Sequence, residues 1–359
     1  MNILYLINYA GSGGSERYVE LLARYYHGSR ADCGLCYNVY GPLVEKMKLL
    51  DIPVYQLPMK GPLDLSAAKK LAKLCREVDC DVIHAQYPRE NCIAILSRLF
   101  GCRARIVFTS HLIMEQPPVW RLLNRIFTPK NHAVLTVCSH GREVLERGGV
   151  AKNKIRIVFN GVDAPSAPAR DRSVLTEFGI GDEEKVLTIL TRFSEEKGVP
   201  FLLRSIAKLK EKTHVPFRLL LVGTGPDFDR DKELVPRLGI EDRVVLTGFR
   251  TDTAALLAAS DLYLNASSSE AMSFAVLEAL GAGLPLVLTD VGGNPELVNT
   301  GETCGLLVPY GDEEAYADAI ARLLEDNALR QAYSAAALAK ARSEFDLYTL
   351  LDKLFEIYK

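Results

Sequence analysis

The chain has 359 residues, of which 48% are hydrophobic and 25% charged, with a formal net charge of -2. This is the balance of a soluble globular protein, and the length favours two domains over one. Nothing in it is long, apolar and uncharged enough to span a bilayer, so any membrane contact is expected to be peripheral, and no nucleic-acid partner is expected. The net charge hides an asymmetry: up to Asp163 there are 22 Lys+Arg against 14 Asp+Glu, and after it 21 against 31. A basic front half suits an anionic membrane or a phosphorylated acceptor, although scattered solvated lysines give the same excess.

In chain order, the opening run Asn2-Ile-Leu-Tyr-Leu-Ile-Asn8 has no basic region before it and ends in Gly11-Ser-Gly-Gly14, which reads as a buried strand rather than a signal peptide. Further strands are expected at 34–39, 54–57, 82–84, 105–109 and 134–138, with helices at 15–26, 65–77 and 89–99 between them. That alternation predicts a parallel sheet covered by helices on both faces. Turn formers in Asn160-Gly-Val-Asp-Ala-Pro165 and Ser166-Ala-Pro168 mark a linker. The rhythm then restarts, with strands expected at 185–191, 218–222, 244–247, 262–265, 286–289 and 305–308, and helices at 200–212, 252–258 and 313–327. The expected fold class is α/β: two doubly wound, Rossmann-like domains facing a central cleft, because such sheets bind ligands at their strand C-termini. We assign 1–163 to the first domain, 164–342 to the second, and 343–359 to a C-terminal helix packing back on the first.

Seven of the eight cysteines precede residue 139 at uneven spacings, which reads as reduced thiols in a cytoplasmic protein. Cys33-x2-Cys36 is the one metal-like pair; with no second pair and no closely spaced histidines, no metal site and no cofactor are expected.

Several expected strand ends carry phosphate-binding chemistry. Gly11-Ser-Gly13-Gly14-Ser15-Glu16 opens the first helix, where free N–H groups and the helix dipole favour an anion, though a tight turn explains the glycines as well. It is not a dinucleotide fingerprint, since Glu16 stands at the third glycine position. Arg192-Phe-Ser-Glu-Glu-Lys197 puts two cations at a strand end, suited to a diphosphate but also to a solvated turn. Gly223-Thr-Gly225 and Gly248-Phe249-Arg250 are short loops that let a nucleotide approach the backbone, and Gly292-Gly293-Asn-Pro-Glu296 adds a further glycine pair.

The stretch 267–285 is the most informative. Glu270 and Glu278 stand eight positions apart, and Glu278 is the only charge from Ala271 to Thr289. Ser273 reads as the cap of a helix whose stop is Gly283 and which Pro285 closes, placing Glu270 in the preceding loop and Glu278 in the second turn. A carboxylate in so apolar a helix needs dedicated donors, either sugar hydroxyls or a structural arginine.

With these motifs together, the chain resembles a retaining glycosyltransferase of family 4, with the GT-B fold, over nearly its whole length. The most specific part is Glu270 and Glu278, followed by Ala279-Leu-Gly-Ala-Gly-Leu-Pro285 and Asp290-Val-Gly-Gly293-x-x-Glu296; Gly13-Gly14-Ser-Glu16, Arg192 through Lys197, Asn160-Gly-Val-Asp163 and the Gly223 and Gly248 loops support it. The resemblance implies that Glu270 contacts the donor sugar beside the reacting carbon, that Glu278 grips the ribose, and that Arg192 and Lys197 neutralise the departing diphosphate. It also implies that His111, in Phe108-Thr-Ser-His111, reaches the sugar, and that Gly13 and Gly14 close over the diphosphate. Gly223, Gly225, Phe249, Arg250, Ala271, Met272, Ser273 and Phe274 complete the expected donor site. Many relatives carry glycines after the first motif glutamate; here Ala271, Met272 and Ser273 stand instead, which reshapes the sugar site.

The implied reaction is hexosyl transfer from a nucleotide-diphosphate sugar to a sugar or lipid-linked hydroxyl acceptor, with retention and without metal, in cell-envelope polysaccharide or glycolipid synthesis at the inner face of the plasma membrane. Fixed cations at Arg192 and Lys197 would stabilise the leaving diphosphate more in the transition state than before it. A nucleotide-sugar epimerase, a dinucleotide oxidoreductase and an inactive nucleotide-sugar-binding module are the alternatives. Transfer to an added acceptor, nicotinamide absorbance and donor hydrolysis separate them. Pro117-Pro-Val-Trp120-Arg121-Leu-Leu-Asn-Arg125-Ile-Phe127 reads as a helix with Trp120, Leu123 and Phe127 on one stripe beside Arg121 and Arg125. That stripe either packs on the first sheet or makes a weak, salt-sensitive contact with anionic lipid.

Overall fold

The structure is a computed structural model that describes residues 1–11, 13–111, 113, 115, 117–164 and 170–359. Ser12 of the first glycine loop and residues 165–168 of the expected linker lie outside the described residues. The chain forms two compact units, Met1–Asn160 with Thr349–Lys359, and Gly161–Tyr348.

The first unit is built on seven parallel strands: β1 (Asn2–Tyr9), β2 (Asp32–Val39), β3 (Val54–Gln56), β4 (Val82–Ala85), β5 (Arg105–Ser110), β6 (Ala133–Thr136) and β7 (Ile155–Ile157), in the order β3-β2-β1-β4-β5-β6-β7. Every side chain from Ile3 to Ile7 is buried, as a strand covered on both faces requires. The covering helices are α1 (Gly14–Tyr26), α2 (Pro42–Leu49), α3 (Leu65–Glu77), α4 (Pro88–Leu96), α5 (Pro118–Phe127) and α6 (Ser139–Arg147). Helix α3 shows why such segments form: Asp64 caps it by accepting from the Ala67 N–H at 2.9 Å, and Ala67, Ala68, Leu71, Ala72 and Cys75 make one buried face.

The second unit repeats the plan with six parallel strands, β8 (Lys185–Leu190), β9 (Phe217–Val222), β10 (Val244–Gly248), β11 (Leu262–Asn265), β12 (Leu286–Thr289) and β13 (Gly305–Val308), ordered β10-β9-β8-β11-β12-β13. Its helices are α7 (Val199–Lys212), α8 (Phe228–Arg237), α9 (Thr253–Ala259), α10 (Phe274–Gly281), α11 (Asn294–Asn299), α12 (Glu313–Glu325) and α13 (Asn327–Ser343). In both sheets the chain order reverses beside the first strand, between β1 and β4 and between β8 and β11. Loops leaving neighbouring strands in opposite directions open a crevice at their C-terminal ends, which is where doubly wound sheets bind ligands.

Helix α14 (Leu347–Tyr358) ends the described chain, and from Thr349 onward it belongs to the first unit. Leu350, Leu351, Leu354, Phe355 and Tyr358 are buried, each large apolar side chain contributing about 1.5–3 kcal/mol. The Tyr26 hydroxyl donates to the Leu351 carbonyl at 2.6 Å, and Arg105 Nη1 donates to the Tyr358 carbonyl at 2.8 Å.

Several local readings change. The expected helix at 89–99 ends at Leu96 and continues as a single 3-10 turn, Ser97–Phe100, with Ser97 Oγ donating back to the Ala94 carbonyl at 2.6 Å. The expected helix at 313–327 stops at Glu325 because Asp326 caps a new one, accepting from the Leu329 N–H at 2.9 Å. The strand expected at 134–138 ends at Thr136, and Cys138 instead caps α6 by accepting from the Gly141 N–H at 3.2 Å. Strand β7 and helices α2, α6, α8 and α13 were not anticipated.

Helix α5 decides between the two outcomes for the stripe read from the sequence, in favour of packing on the first unit. Trp120, Leu123 and Phe127 face inward and pack on the core of the first unit. The outward stripe is a second one, Val119, Leu122 and Ile126, at 59%, 59% and 50% exposure, with Arg121 and Arg125 exposed beside it.

Candidate active site

The β8/β11 switch point gathers most of the predicted residues. After β8 the chain runs through Arg192 and the buried Phe193 into a 3-10 turn, Glu195–Lys197, then Gly198 and α7. Phe193 stacks edge-on against Phe228 at 4.8 Å and anchors the loop, while Arg192 points to solvent. Gly198 has a φ of +64°, and a Cβ there would lie 2.0 Å from the Ala266 carbonyl oxygen, so only glycine lets this turn meet the loop after β11.

Across that contact, Lys197 Nζ forms an ion pair with Glu270 Oε2 at 2.7 Å, and Ser267 Oγ donates to the same oxygen at 3.1 Å. At 24% and 11% side-chain exposure, this pair is partly shielded from water, where a charge-assisted hydrogen bond fixes geometry well. The glutamate loop is tethered on three further sides. The Gly293 N–H donates to the Glu270 carbonyl at 3.0 Å, the Ser268 N–H to the Glu196 carbonyl at 2.8 Å, and Thr289 Oγ1 to the Ser267 carbonyl at 2.6 Å. Asn294, fully buried, donates through Nδ2 to Asn265 Oδ1 at 3.2 Å and to the Thr289 carbonyl at 2.9 Å; Asn265 Oδ1 also accepts from the Ser267 N–H at 3.3 Å. Asn265, Ser267, Thr289 and Asn294 were not singled out from the sequence. An asparagine closing a buried strand and another opening a helix after two glycines were the available signal.

Ser273 caps α10 by accepting from the Val276 N–H at 3.5 Å, Met272 is buried, and Ala271 and Phe274 are half-buried. Glu278 is half-buried in the second turn. The fully buried Tyr263 lies near both carboxylates: burial, then the Glu278 and Glu270 charges, push its phenol far above the usual tyrosine range. Gly223 and Gly225 pack backbone to backbone on the arginine loop, for a Cβ on either would lie 1.9 Å from the Thr191 oxygen and 2.2 Å from the Phe193 oxygen. Phe249 stands 75% exposed at its strand end. Arg250 is forked between Asp252 and Glu177 at 2.7 and 2.6 Å, with its guanidinium 5.6 Å from the Phe178 ring centre.

In the first unit the β1/β4 switch point holds a different set. Gly13 is the N-cap residue of α1 and Gly14 its first residue. The buried Ser15 donates to Glu16 Oε2 at 2.9 Å and accepts from the Tyr87 hydroxyl at 2.6 Å, joining the loop after β1 to the loop after β4. A Cβ on Gly13 would meet the same Glu16 oxygen at 2.8 Å. His111, the residue after β5, has its Nε2 2.9 Å from Gln86 Oε1 and its ring edge-on to Tyr18 at 5.0 Å. Burial lowers its pKa to about 4. Behind it His84 is wholly buried, with Nε2 2.7 Å from Thr109 Oγ1 and Nδ1 2.7 Å from the Tyr358 hydroxyl. Burial, then the neighbouring His111, lowers the pKa of His84 to about 3. Cys33 and Cys36 are buried in β2, and all eight cysteines are free thiols. Among the described residues, no helix is long and apolar enough to cross a membrane.

Two doubly wound parallel-sheet units, the second with lysine and glutamate paired at its switch point, form the architecture of the GT-B glycosyltransferases. Two family models cover the chain in succession: Glycosyltransferase Family 4 at residues 12–165 and Glycosyl transferases group 1 at 174–340. N-acetyl-alpha-D-glucosaminyl L-malate synthase of Bacillus anthracis is 34% identical over 313 residues, spanning 85% of this chain and 80% of the relative. N-acetylgalactosamine-N,N'-diacetylbacillosaminyl-diphospho-undecaprenol 4-alpha-N-acetylgalactosaminyltransferase of Campylobacter jejuni is 27% identical over 93% of both chains. Among solved structures, Anabaena HepE in complex with UDP superposes with a TM-score of 0.83 at 24% identity over 99% of each chain. The chain belongs to glycosyltransferase family 4.

Proposed function

We propose that the protein transfers a sugar from a uridine-diphosphate donor to a hydroxyl acceptor with retention of configuration and without a metal ion, in the synthesis of a cell-envelope polysaccharide or glycolipid. The observation that carries this reading is the Lys197–Glu270 pair, in which a fixed cation and a fixed carboxylate share one oxygen at the switch point. Loss of a diphosphate leaves positive charge on the sugar and negative charge on the leaving oxygens. Lys197 and the exposed Arg192 meet the second, and Glu270, held in one orientation by Lys197 and Ser267, meets the first. Glu278, one helical turn into α10, takes the ribose hydroxyls, and Phe249 offers an exposed ring to the base. The uridine base follows HepE, whose structure contains UDP, and the lipid-linked acceptor follows the Campylobacter relative, named for its diphospho-undecaprenol. In this reading the second unit holds the donor and the first the acceptor, with His111 at a substrate hydroxyl.

The test is a thermal-shift screen of nucleoside diphosphate sugars followed by product analysis with an added acceptor. An anomerically retained glycoside formed in excess chelator supports the reading. Donor epimerised without transfer, or bound without turnover, assigns the protein to the epimerase or binding-module alternative.

The exposed stripe of Val119, Leu122 and Ile126 beside Arg121 and Arg125 favours a weak contact with anionic lipid, each surface cation adding about 1 kcal/mol. Co-sedimentation with vesicles at low salt that disappears at high salt, without anionic lipid, or in Arg121→Glu/Arg125→Glu supports it. Protein that stays in the supernatant throughout removes it.

A further inference from the structure

The surroundings of His111 fix more than its position. Gln86 follows β4, is fully buried, and is held at both ends of its amide: Nε2 donates to the His84 carbonyl at 3.1 Å and Oε1 lies 2.9 Å from His111 Nε2. Turning the amide over would set its oxygen against the His84 carbonyl oxygen and lose a buried hydrogen bond. The amide oxygen therefore faces His111, and an amide oxygen only accepts. His111 Nε2 must carry the proton. A neutral imidazole protonated at Nε2 keeps its lone pair on Nδ1, and among the described residues that nitrogen has no hydrogen-bond partner.

The carbonyl that orients Gln86 is itself pinned. His84 is bonded through both ring nitrogens, to Thr109 of β5 and to Tyr358 of α14, so its ring and backbone have one place to sit. The groups facing His111 are Tyr18 of α1, Tyr87 at the start of α4 with ring centres 6.4 Å apart, and His84 of β4; the Glu16 and Glu90 charges act on Tyr87. We propose that Gln86 is a positioning residue that locks the proton of His111 on Nε2 and so presents Nδ1 as a hydrogen-bond acceptor to a substrate hydroxyl. This rests on the reading of His111 as a substrate-contacting residue.

The full-length protein labelled with 15N-histidine tests the lock without substrate. The His111 signals, identified by their loss in His111→Asn, should show protonated Nε2 and unprotonated Nδ1 at pH 7 and at pH 5. Gln86→Glu replaces the neutral acceptor with a charged one, which should raise the His111 titration midpoint by roughly one to two pH units and move the acidic limb of kcat upward by the same amount. A protonated Nδ1 in the unsubstituted protein overturns the lock whether or not the variant folds, as does an unmoved midpoint in a folded Gln86→Glu. Unchanged kcat and KM in His111→Asn, beside the expected spectrum, overturn the substrate contact while leaving the tautomer established.

Discussion

Glu270 and His111 each follow a strand of a parallel sheet, yet they are held by opposite physics. Glu270 is kept as a charge: a lysine and a serine donate to one carboxylate oxygen, and backbone tethers close the loop around it. His111 is kept neutral by burial, and it touches an amide and aromatic edges. The first arrangement suits stabilising charge that appears during a reaction, the second holding or receiving one hydrogen bond in a fixed direction. Disturbing each side should therefore give a different kind of failure.

The largest effect is expected on the charged side. Lys197→Ala should lower turnover on the order of 100-fold, because it removes a preorganised cation and frees Glu270 to rotate, while the fold persists. Near wild-type turnover in a folded variant would remove the pair from the chemistry. Next, the two carboxylates should separate. Glu278→Gln should weaken binding of free nucleoside diphosphate roughly tenfold or more, the scale of one hydrogen bond to a charged group, whereas Glu270→Gln should leave that binding intact and impair transfer. Calorimetry with UDP and kinetics with the full donor decide, and the reverse pattern would exchange their roles.

The neutral side should answer to pH instead. The folded pKa values of His84 and His111, about 3 and about 4, lie below the ordinary 6.5, so between those values the unfolded chain binds more protons. Stability of the first unit is then fully present above pH 6.5 and lost as pH falls towards 4, at up to about 1.4 kcal/mol per pH unit for each histidine. Urea midpoints at pH 7, 5.5 and 4.5 report this, and a flat series would mean that the histidines are not held neutral. The smallest effect belongs to the cap of α10: Ser273→Ala should cost about 1 kcal/mol and Ser273→Gly only a few tenths. Equal losses would show that Ser273 acts through something other than its hydroxyl.

The fold was legible where apolar runs are long and bounded by turn residues, as in β1, β8 and α3. It was not legible in β7, a three-residue strand whose side chains are not all buried, or in α13, where Asp326 starts a second helix within what reads as one periodic segment. At the site, spacing drew attention to Glu270 and Glu278 but left sugar hydroxyls and a structural arginine both open as their partners; the flanking motifs, and the resemblance they carry, supplied the roles. Gln86, His84, Thr109 and Tyr358 left no such trace. They meet because β4 pairs with β5 and α14 returns to the first sheet, which joins His84 to a residue 274 positions away. Polar residues inside apolar strands look alike in a sequence until register says which of them touch.

That distance also orders events at synthesis. Tyr26 in α1 has its hydroxyl partner in Leu351, and its ring packs on Phe355 at 5.2 Å. Until residues 349–359 have left the ribosome, the first unit lacks five buried side chains of its core, while Gly161–Tyr348 already has all of its own. The unit translated first is thus completed last, inverting the usual N-terminal-first sequence and leaving α1 and β4 with exposed apolar surface through most of elongation. Protease digestion of nascent chains stalled just after residue 348 has emerged should spare the second unit and cut the first. Equal resistance of the two would show that the first unit closes without its last helix.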